Sequence, residues 1–397
     1  MARKVAVFTG TRAEYGLLHP LLVKFRESPD FELQLIVSGM HLSPRFGETW
    51  RTIEQDGFSI DAKVEMLLAS DTACGVAKSM GLGTLGFADA LDRLRPDYLV
   101  ILGDRYEALA IAQAAAVMRI PVAHLHGGEV TEGAYDDSIR HAITKLSHLH
   151  FVACEEYRQR VIQLGEQPDT VWDVGALGLE NIRTVPRVPL ANINQQLGLK
   201  LARPFFLVTY HPVTAADEDP GETFGNLLAA LDQFPDHQVL FTYPNSDNGG
   251  DQLIKMIEQY VASRPATAWA VPSLGLARYL SAVEESAAVI GNSSSGIIEV
   301  PSLSVPGVNI GVRQKGRLSA DSVIHVGTEA EDISRGIHQA LGDDAKTLAR
   351  SATNPYGNGD TSRRILEVLM QSSRPGAKVF YDLPKAGLGR TNGQNNR

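Results

Sequence analysis

The stretch KVAVFTGTRAEYGLLHPLLVKFRESPDFELQLIVSG, residues 4–39, decides the fold. An apolar run ends at Thr9–Gly10, a helix-spaced segment follows over 14–28, and a second apolar run closes on Ser38–Gly39. Strands that are apolar throughout, rather than alternately, are buried on both faces, and a helix between two of them makes a parallel βαβ unit. Open parallel sheets bind ligands beyond the carboxyl ends of their strands. Gly10, Thr11 and Arg12 therefore stand where a ligand is expected.

The same rhythm recurs in DYLVILGD (97–104), a helix over 106–119, PVAHLH (121–126), a helix near 138–148 and HFVAC (150–154). Residues 175–204 mix prolines and asparagines and are expected to form a crossover. A second alternating series follows, with strands at 204–212, 237–244, 267–272, 286–296, 305–311 and 322–327 and helices near 221–233 and 250–262. The fold class expected is α/β, with two Rossmann-like domains facing across a cleft. The first takes in residues 1–175 and carries a set of acids; the second takes in 176–361. A last helix within 362–380 is expected to pack back on the first domain, and 386–397 to be disordered.

The chain has 397 residues, which suits two domains, and its 44% apolar and 21% charged content is that of an ordinary globular protein. A formal net charge of −9 argues against broad attraction to nucleic acid or an anionic membrane. No apolar run approaches the roughly 20 residues of a membrane span. The N-terminus runs straight into a strand with no signal-peptide pattern, so the cytoplasm is the expected compartment. Cys74 and Cys154 are too few for a disulfide framework and are expected to be reduced and buried.

Candidate chemistry gathers at the strand ends. TGTRAEYG lacks the GxGxxG spacing and a Walker lysine, yet its backbone N–H groups and Arg12 can meet a phosphate. GNSSSGIIEV (291–300) puts Ser293 and Ser294 at an expected helix N-terminus, a cradle for an anion, with Glu299 on the same helix within reach of ribose hydroxyls. Arg313, in GVRQKGR, adds a guanidinium. Asp104 and Arg105 end one strand; His126, Glu129, Asp136 and Asp137 follow the next; His211 ends a strand of the second half. Singly, each has an ordinary explanation as a cap, a loop residue or a surface charge. Together, carboxylates beside an anion site suggest proton transfer, because crowded or desolvated acids can hold protons near neutrality. HExxH and CxxC spacings are absent, and nothing calls for a metal.

In order along the chain, TRAEYG, LGDRYEALA, HLHGGEVTEGAYDDSIRHAITKLSHLHF, TYHPVT and GNSSSGIIEVPSL with GVRQKGR resemble the hydrolysing UDP-N-acetylglucosamine 2-epimerases of sialic-acid and related nonulosonate biosynthesis. The resemblance implies the glycosyltransferase-B arrangement, a nucleotide on the C-terminal domain, no cofactor, and a homodimer or homotetramer. It implies cleavage of UDP-N-acetylglucosamine to UDP and N-acetylmannosamine, by elimination to a 2-acetamidoglucal and hydration. By position, Arg12, Arg105, Ser293, Ser294, Glu299 and Arg313 match UDP contacts, and His126 stands beside the substrate. Asp104, Glu129 and Asp136 match catalytic acids and His211 an essential histidine, with Asp137 an alternative to its neighbour. Relatives of this branch act on UDP-2,4-diacetamido-2,4,6-trideoxyglucose or GDP-N-acetylglucosamine. A glycosyltransferase or a non-catalytic nucleotide-sugar binder are the rival functions.

Overall fold

The computed structural model describes residues 2–69, 72–131, 135–213, 220–244, 250–373 and 375–384, so the expectation for 386–397 lies outside it. Seven strands form the first sheet: β1 (Arg3–Thr9), β2 (Phe31–Ser38), β3 (Ala62–Val64), β4 (Tyr98–Leu102), β5 (Val122–Leu125), β6 (Leu149–Val152) and β7 (Val171–Asp173). Six form the second: β8 (Phe205–Thr209), β9 (Gln238–Thr242), β10 (Ala268–Val271), β11 (Ala288–Gly291), β12 (Gly307–Ile310) and β13 (Val323–Val326). The strand orders are β3-β2-β1-β4-β5-β6-β7 and β10-β9-β8-β11-β12-β13. The pairings are parallel, such as Val5 to Val7 against Tyr98 to Val100.

The continuous apolar strands serve two cores at once. Val5 and Val7 face one side with Leu18, Leu21, Leu22 and Phe25 of the helix Arg12–Glu27. Ala6 and Phe8 face the other side with Phe87, Ala108 and Ile111. This is the two-residue period of a strand, with both faces covered. Each fully buried Val, Leu, Ile or Phe among them contributes about 1.5–3 kcal/mol of transfer free energy. The helix Thr361–Gln371 joins the first of these cores through Ile365 and Leu369.

Several elements escape the sequence rhythm, among them three helices. The helix Ala73–Leu94 contains Gly75, Gly81, Gly83 and Gly86, each costing about 1 kcal/mol of helix propensity relative to alanine. Packing bears on two of them: a Cβ on Gly86 would lie 2.6 Å from Val64 Cγ1 at the end of β3, and one on Gly83 2.9 Å from Cε at the flexible tip of Met66. Within the expected crossover lie the helices Leu177–Thr184 and Leu190–Leu197, the latter bracketed by Pro189 and left-handed Gly198. Cys154 is buried as expected, but Cys74 is exposed, because it lies on the outer face of the first turn of Ala73–Leu94 while Gly75 and Ser79 turn inward. Among the described residues, no helix is long and apolar enough to cross a membrane.

Candidate active site

In each sheet the chain steps outward and then returns beside its first strand, so β1 meets β4 and β8 meets β11. Loops on either side of such a reversal diverge and leave a crevice. Arg12 follows β1, Asp104 and Arg105 follow β4, His211 follows β8, and Ser293 and Ser294 follow β11. A cleft of about 940 Å³ lies between the two halves, with Arg12, His41, His211, Tyr279 and Ser293 in its wall. This is the size of a small-molecule site.

The β1 loop differs from its expected role. Gly10 N and Thr11 N donate to Glu14 Oε2 at 2.7 and 3.1 Å, and Glu14 N donates to Thr11 Oγ1 at 3.2 Å, a reciprocal cap. Those two N–H groups are thus spent on Glu14 rather than offered to phosphate, and Arg12 is the residue of this loop that lines the cleft. Burial raises the pKa of Glu14 to about 7; Arg105 opposes the rise and Glu107 adds to it. Arg105 is turned to the buried Glu107, with Nε and Nη2 at 3.2 and 3.1 Å from its two oxygens.

The acids after β4 and β5 form one network around Arg140, whose side chain is only 2% exposed. Its guanidinium bonds Asp104 Oδ2, Asp137 Oδ1 at 3.2 Å, Glu129 O at 2.9 Å and Thr131 Oγ1 at 3.0 Å. Asp136 and Asp137 lie in the first turn of the helix Tyr135–Leu146, where the helix dipole favours negative charge. Asp137 also accepts from Thr131 N at 2.8 Å.

His126 has left-handed backbone, φ 62°, immediately after β5. Leu177 N donates to its Nε2 at 3.3 Å, which leaves the ring proton on Nδ1, 2.8 Å from Glu129 Oε1. The other oxygen of Glu129 is 3.2 Å from Arg317 Nη2, across from the second half. Burial opposes the charge on Glu129, yet Arg317, His126 and Arg140 together hold its pKa down to about 2. The glycines of this loop answer to packing: a Cβ on Gly128, φ 81°, would collide with the carbonyl of Tyr157, and one on Gly127 would lie 3.0 Å from Thr144 Oγ1.

In the second half, Asn292 clasps the backbone of His211, accepting from its N at 2.7 Å and donating to its O at 2.8 Å. Gly291 permits this approach, because its φ is 143° and a Cβ there would meet the carbonyl of Thr209. Arg313 Nη1 and Gln314 Nε2 donate to Asn292 O at 3.1 and 2.9 Å. Burial, and next Arg313, lower the pKa of His211 to about 3, so the imidazole is neutral near pH 7.

The expected helix behind the serines is a single turn, Ser295–Ile298, because Pro301 diverts the chain into the 3₁₀ turn Val300–Leu303. Ser294 is its N-cap, and Glu299 is its C-cap rather than an interior residue. Burial raises the pKa of Glu299, whose Oε2 has no hydrogen-bond partner among the described residues.

The cleft thus gathers Arg12, His211 and Ser293, while Asp104, Glu129 and Asp137 share the neighbouring Arg140 network. Three site residues escape the motifs. Arg317 closes the same GVRQKGR stretch in which Arg313 stands out. Glu14 reads as an ordinary first-turn acid. His41 follows β2, buried between Thr9 Oγ1 at 3.0 Å and Thr49 Oγ1 at 2.7 Å; its position at a strand end is its one sequence signal.

The model of the family described as UDP-N-acetylglucosamine 2-epimerase matches residues 23–370. The chain is 40% identical to the GDP/UDP-N,N'-diacetylbacillosamine 2-epimerase (hydrolyzing) of Campylobacter jejuni over 85% of its own length and 87% of the relative's. It is 38% identical to the polysialic acid biosynthesis protein P7 of Escherichia coli, covering 96% and 98% of the two chains. The crystal structure of UDP-GlcNAc 2-epimerase from Neisseria meningitidis bound to UDP-GlcNAc has the same fold, with a TM-score of 0.78 at 17% identity over 93% of this chain and 100% of that one. With its paired switch-point crevices and acid network, the chain belongs to the UDP-N-acetylglucosamine 2-epimerase family.

Proposed function

We propose that the chain is a hydrolysing 2-epimerase that converts UDP-N-acetylglucosamine to N-acetylmannosamine and UDP. The observation that carries this is the Arg140-bound acid set beside a cleft that holds Arg12, His211 and Ser293. A simple binder of diphosphate has no use for clustered carboxylates, whereas removal of a proton from C2 requires one. In the first stage a carboxylate takes the C2 proton while the C1–O bond breaks. UDP leaves with the bonding pair, and a 2-acetamidoglucal with a C1–C2 double bond remains. In the second stage water adds hydroxyl to C1 and a proton to C2 from the opposite face.

Arg12 and Arg313 offset the charge of the departing diphosphate, and the hydroxyls of Ser293 and Ser294 donate hydrogen bonds to it. Glu299 accepts from ribose, and Arg105 acts beside Asp104. A diphosphate next to His211 raises its proton affinity, which puts a proton where the leaving oxygen needs one. Glu129 has both oxygens engaged, by His126 and Arg317, whereas the hydrogen bond of Asp104 to Arg140 uses one of its two. This favours Asp104 as the C2 base, with Glu129 and His126 orienting and Asp136 or Asp137 serving the second proton transfer.

The same reaction on UDP-2,4-diacetamido-2,4,6-trideoxyglucose or a GDP sugar is the second reading, supported by the identity to the C. jejuni protein. Assembly as a homodimer or homotetramer belongs to the proposal and is read by light scattering. Product analysis with each nucleotide sugar tests the function. Equimolar free sugar and nucleoside diphosphate are expected. A nucleotide-linked epimer, or sugar transfer that needs an acceptor, would contradict it.

A further inference from the structure

Arg317 reaches the acid network from the opposite half of the molecule. It lies in the loop after β12 of the second sheet, whereas Glu129 follows β5 of the first. Both side chains are enclosed, at 15% and 8% exposure. The other end of the loop is fixed to the nucleotide side, where Arg313 and Gln314 hold Asn292, and Asn292 holds the backbone of His211. Immediately beyond Arg317, Leu318 O accepts from Tyr356 OH at 2.8 Å, and that hydroxyl is 3.0 Å from Tyr157 OH. A continuous set of bonds therefore runs from His211 through Asn292 and the loop to Glu129, and from Glu129 O to Arg140 and the two aspartates.

We infer that Arg317 is a positioning residue: through it, the seating of the nucleotide-side loop against the first half holds Glu129, and with it His126, in the geometry that turnover requires. The inference rests on the epimerase proposal and gives Arg317 a role in turnover that the proposal does not assign. Its physical basis is the cost of a buried carboxylate, which either finds a counter-charge or gives up its charge. Three cationic or proton-donating groups face Glu129: His126 and Arg140 from its own half and Arg317 from the other, with Tyr157 and Tyr356 nearby. Arg317 is the largest of the influences that favour its charge. A planar guanidinium also fixes the carboxylate's orientation, which a lysine ammonium does not. If the halves separate, Arg317 withdraws and the network loses the pair that spans them.

The variants Arg317→Met and Arg317→Lys test this. Arg317→Met is expected to lower kcat by about 100-fold or more while the Kd for UDP stays within about threefold of wild type. The acid limb of its kcat profile is expected to move to higher pH, because Glu129 loses the charge that keeps it ionised. Arg317→Lys restores charge without the fork; it is expected to fall between the two and to keep the wild-type melting behaviour. The second measurement needs no turnover: the carboxyl carbon of Glu129, identified in ¹³C NMR by its loss in Glu129→Gln, is expected to titrate at higher pH in Arg317→Met than in wild type. A wild-type protein inert on every nucleotide sugar would defeat the epimerase proposal and still leave this titration to decide the role of Arg317. An unchanged Glu129 titration, or Arg317 variants with wild-type kcat and pH profile, would overturn the inference.

Discussion

The guanidinium of Arg140 holds the carboxylate of Asp104, a residue 36 positions earlier in the chain. The same side chain binds Asp137 on its own helix, so one buried cation sets the separation of acids that arrive from two different strand ends. Arg140→Met removes the cation that Asp104 and Asp137 share and leaves Asp137 with Thr131 N and His141. Removing the cation from these part-exposed carboxylates costs about 1.5–3 kcal/mol, and disruption of the acid geometry is expected to remove about 100-fold or more of the turnover. Urea unfolding and steady-state assays measure the two effects separately.

The acids of the Arg140 network and the arginine of the cleft are expected to divide the kinetic parameters between them. Asp104→Asn, Glu129→Gln and His211→Asn should lower kcat by about 10²–10⁴-fold while UDP binding persists. Arg12→Met should instead weaken UDP by roughly 10- to 100-fold, the worth of a charged hydrogen bond to phosphate. Calorimetric titration with UDP beside turnover assays separates the classes. Near-normal kcat in all three acid and histidine variants would refute their assignment.

Acid should weaken the fold through its buried histidines, against an opposite contribution from Glu14, whose raised pKa favours the folded state as pH falls. His41 and His124 are fully buried, and burial lowers their pKa values to about 4 and about 3. The unfolded chain takes up protons at these histidines near pH 6.5, whereas the folded chain does not. Their stabilisation is therefore complete above about 6.5 and is lost as pH falls toward the folded values. Between pH 6.5 and 5 each contributes a loss of roughly 2 kcal/mol. Unfolding free energy measured against pH should show this slope, and His124→Asn should flatten it.

Gly291→Ala should damage the second half selectively. The added methyl meets the Thr209 carbonyl at the end of the β8–β11 pair, and φ 143° is closed to a side chain. A loss of about 3 kcal/mol or more is expected, together with weaker UDP binding, because Asn292 and Ser293 follow directly. Thermal unfolding with and without UDP measures it.

Most strands were legible because parallel sheets need apolar residues on both faces, and Val5 to Phe8 supply two cores with alternate side chains; the three-residue β3 and β7 are too short to show the pattern. The helix Ala73–Leu94 was not, since its glycines serve contact with Val64 and Met66, elements distant in sequence. At the site, the residue types at the strand ends could be read, and Arg140 as a support for the acids of its own stretch, but partners distant in sequence could not. That Gly10 N serves Glu14, that Glu129 is held by Arg317, and that one arginine joins Asp104 to Asp137 are facts of tertiary geometry, which no local spacing encodes.

The central claim, cleavage through loss of the C2 proton, is tested most directly by turnover in deuterated water followed by mass and NMR analysis of the released sugar. Free N-acetylmannosamine, or its 4-acetamido-6-deoxy counterpart, carrying one deuterium at C2 is the expected product. Released sugar with protium at C2 would contradict the elimination route.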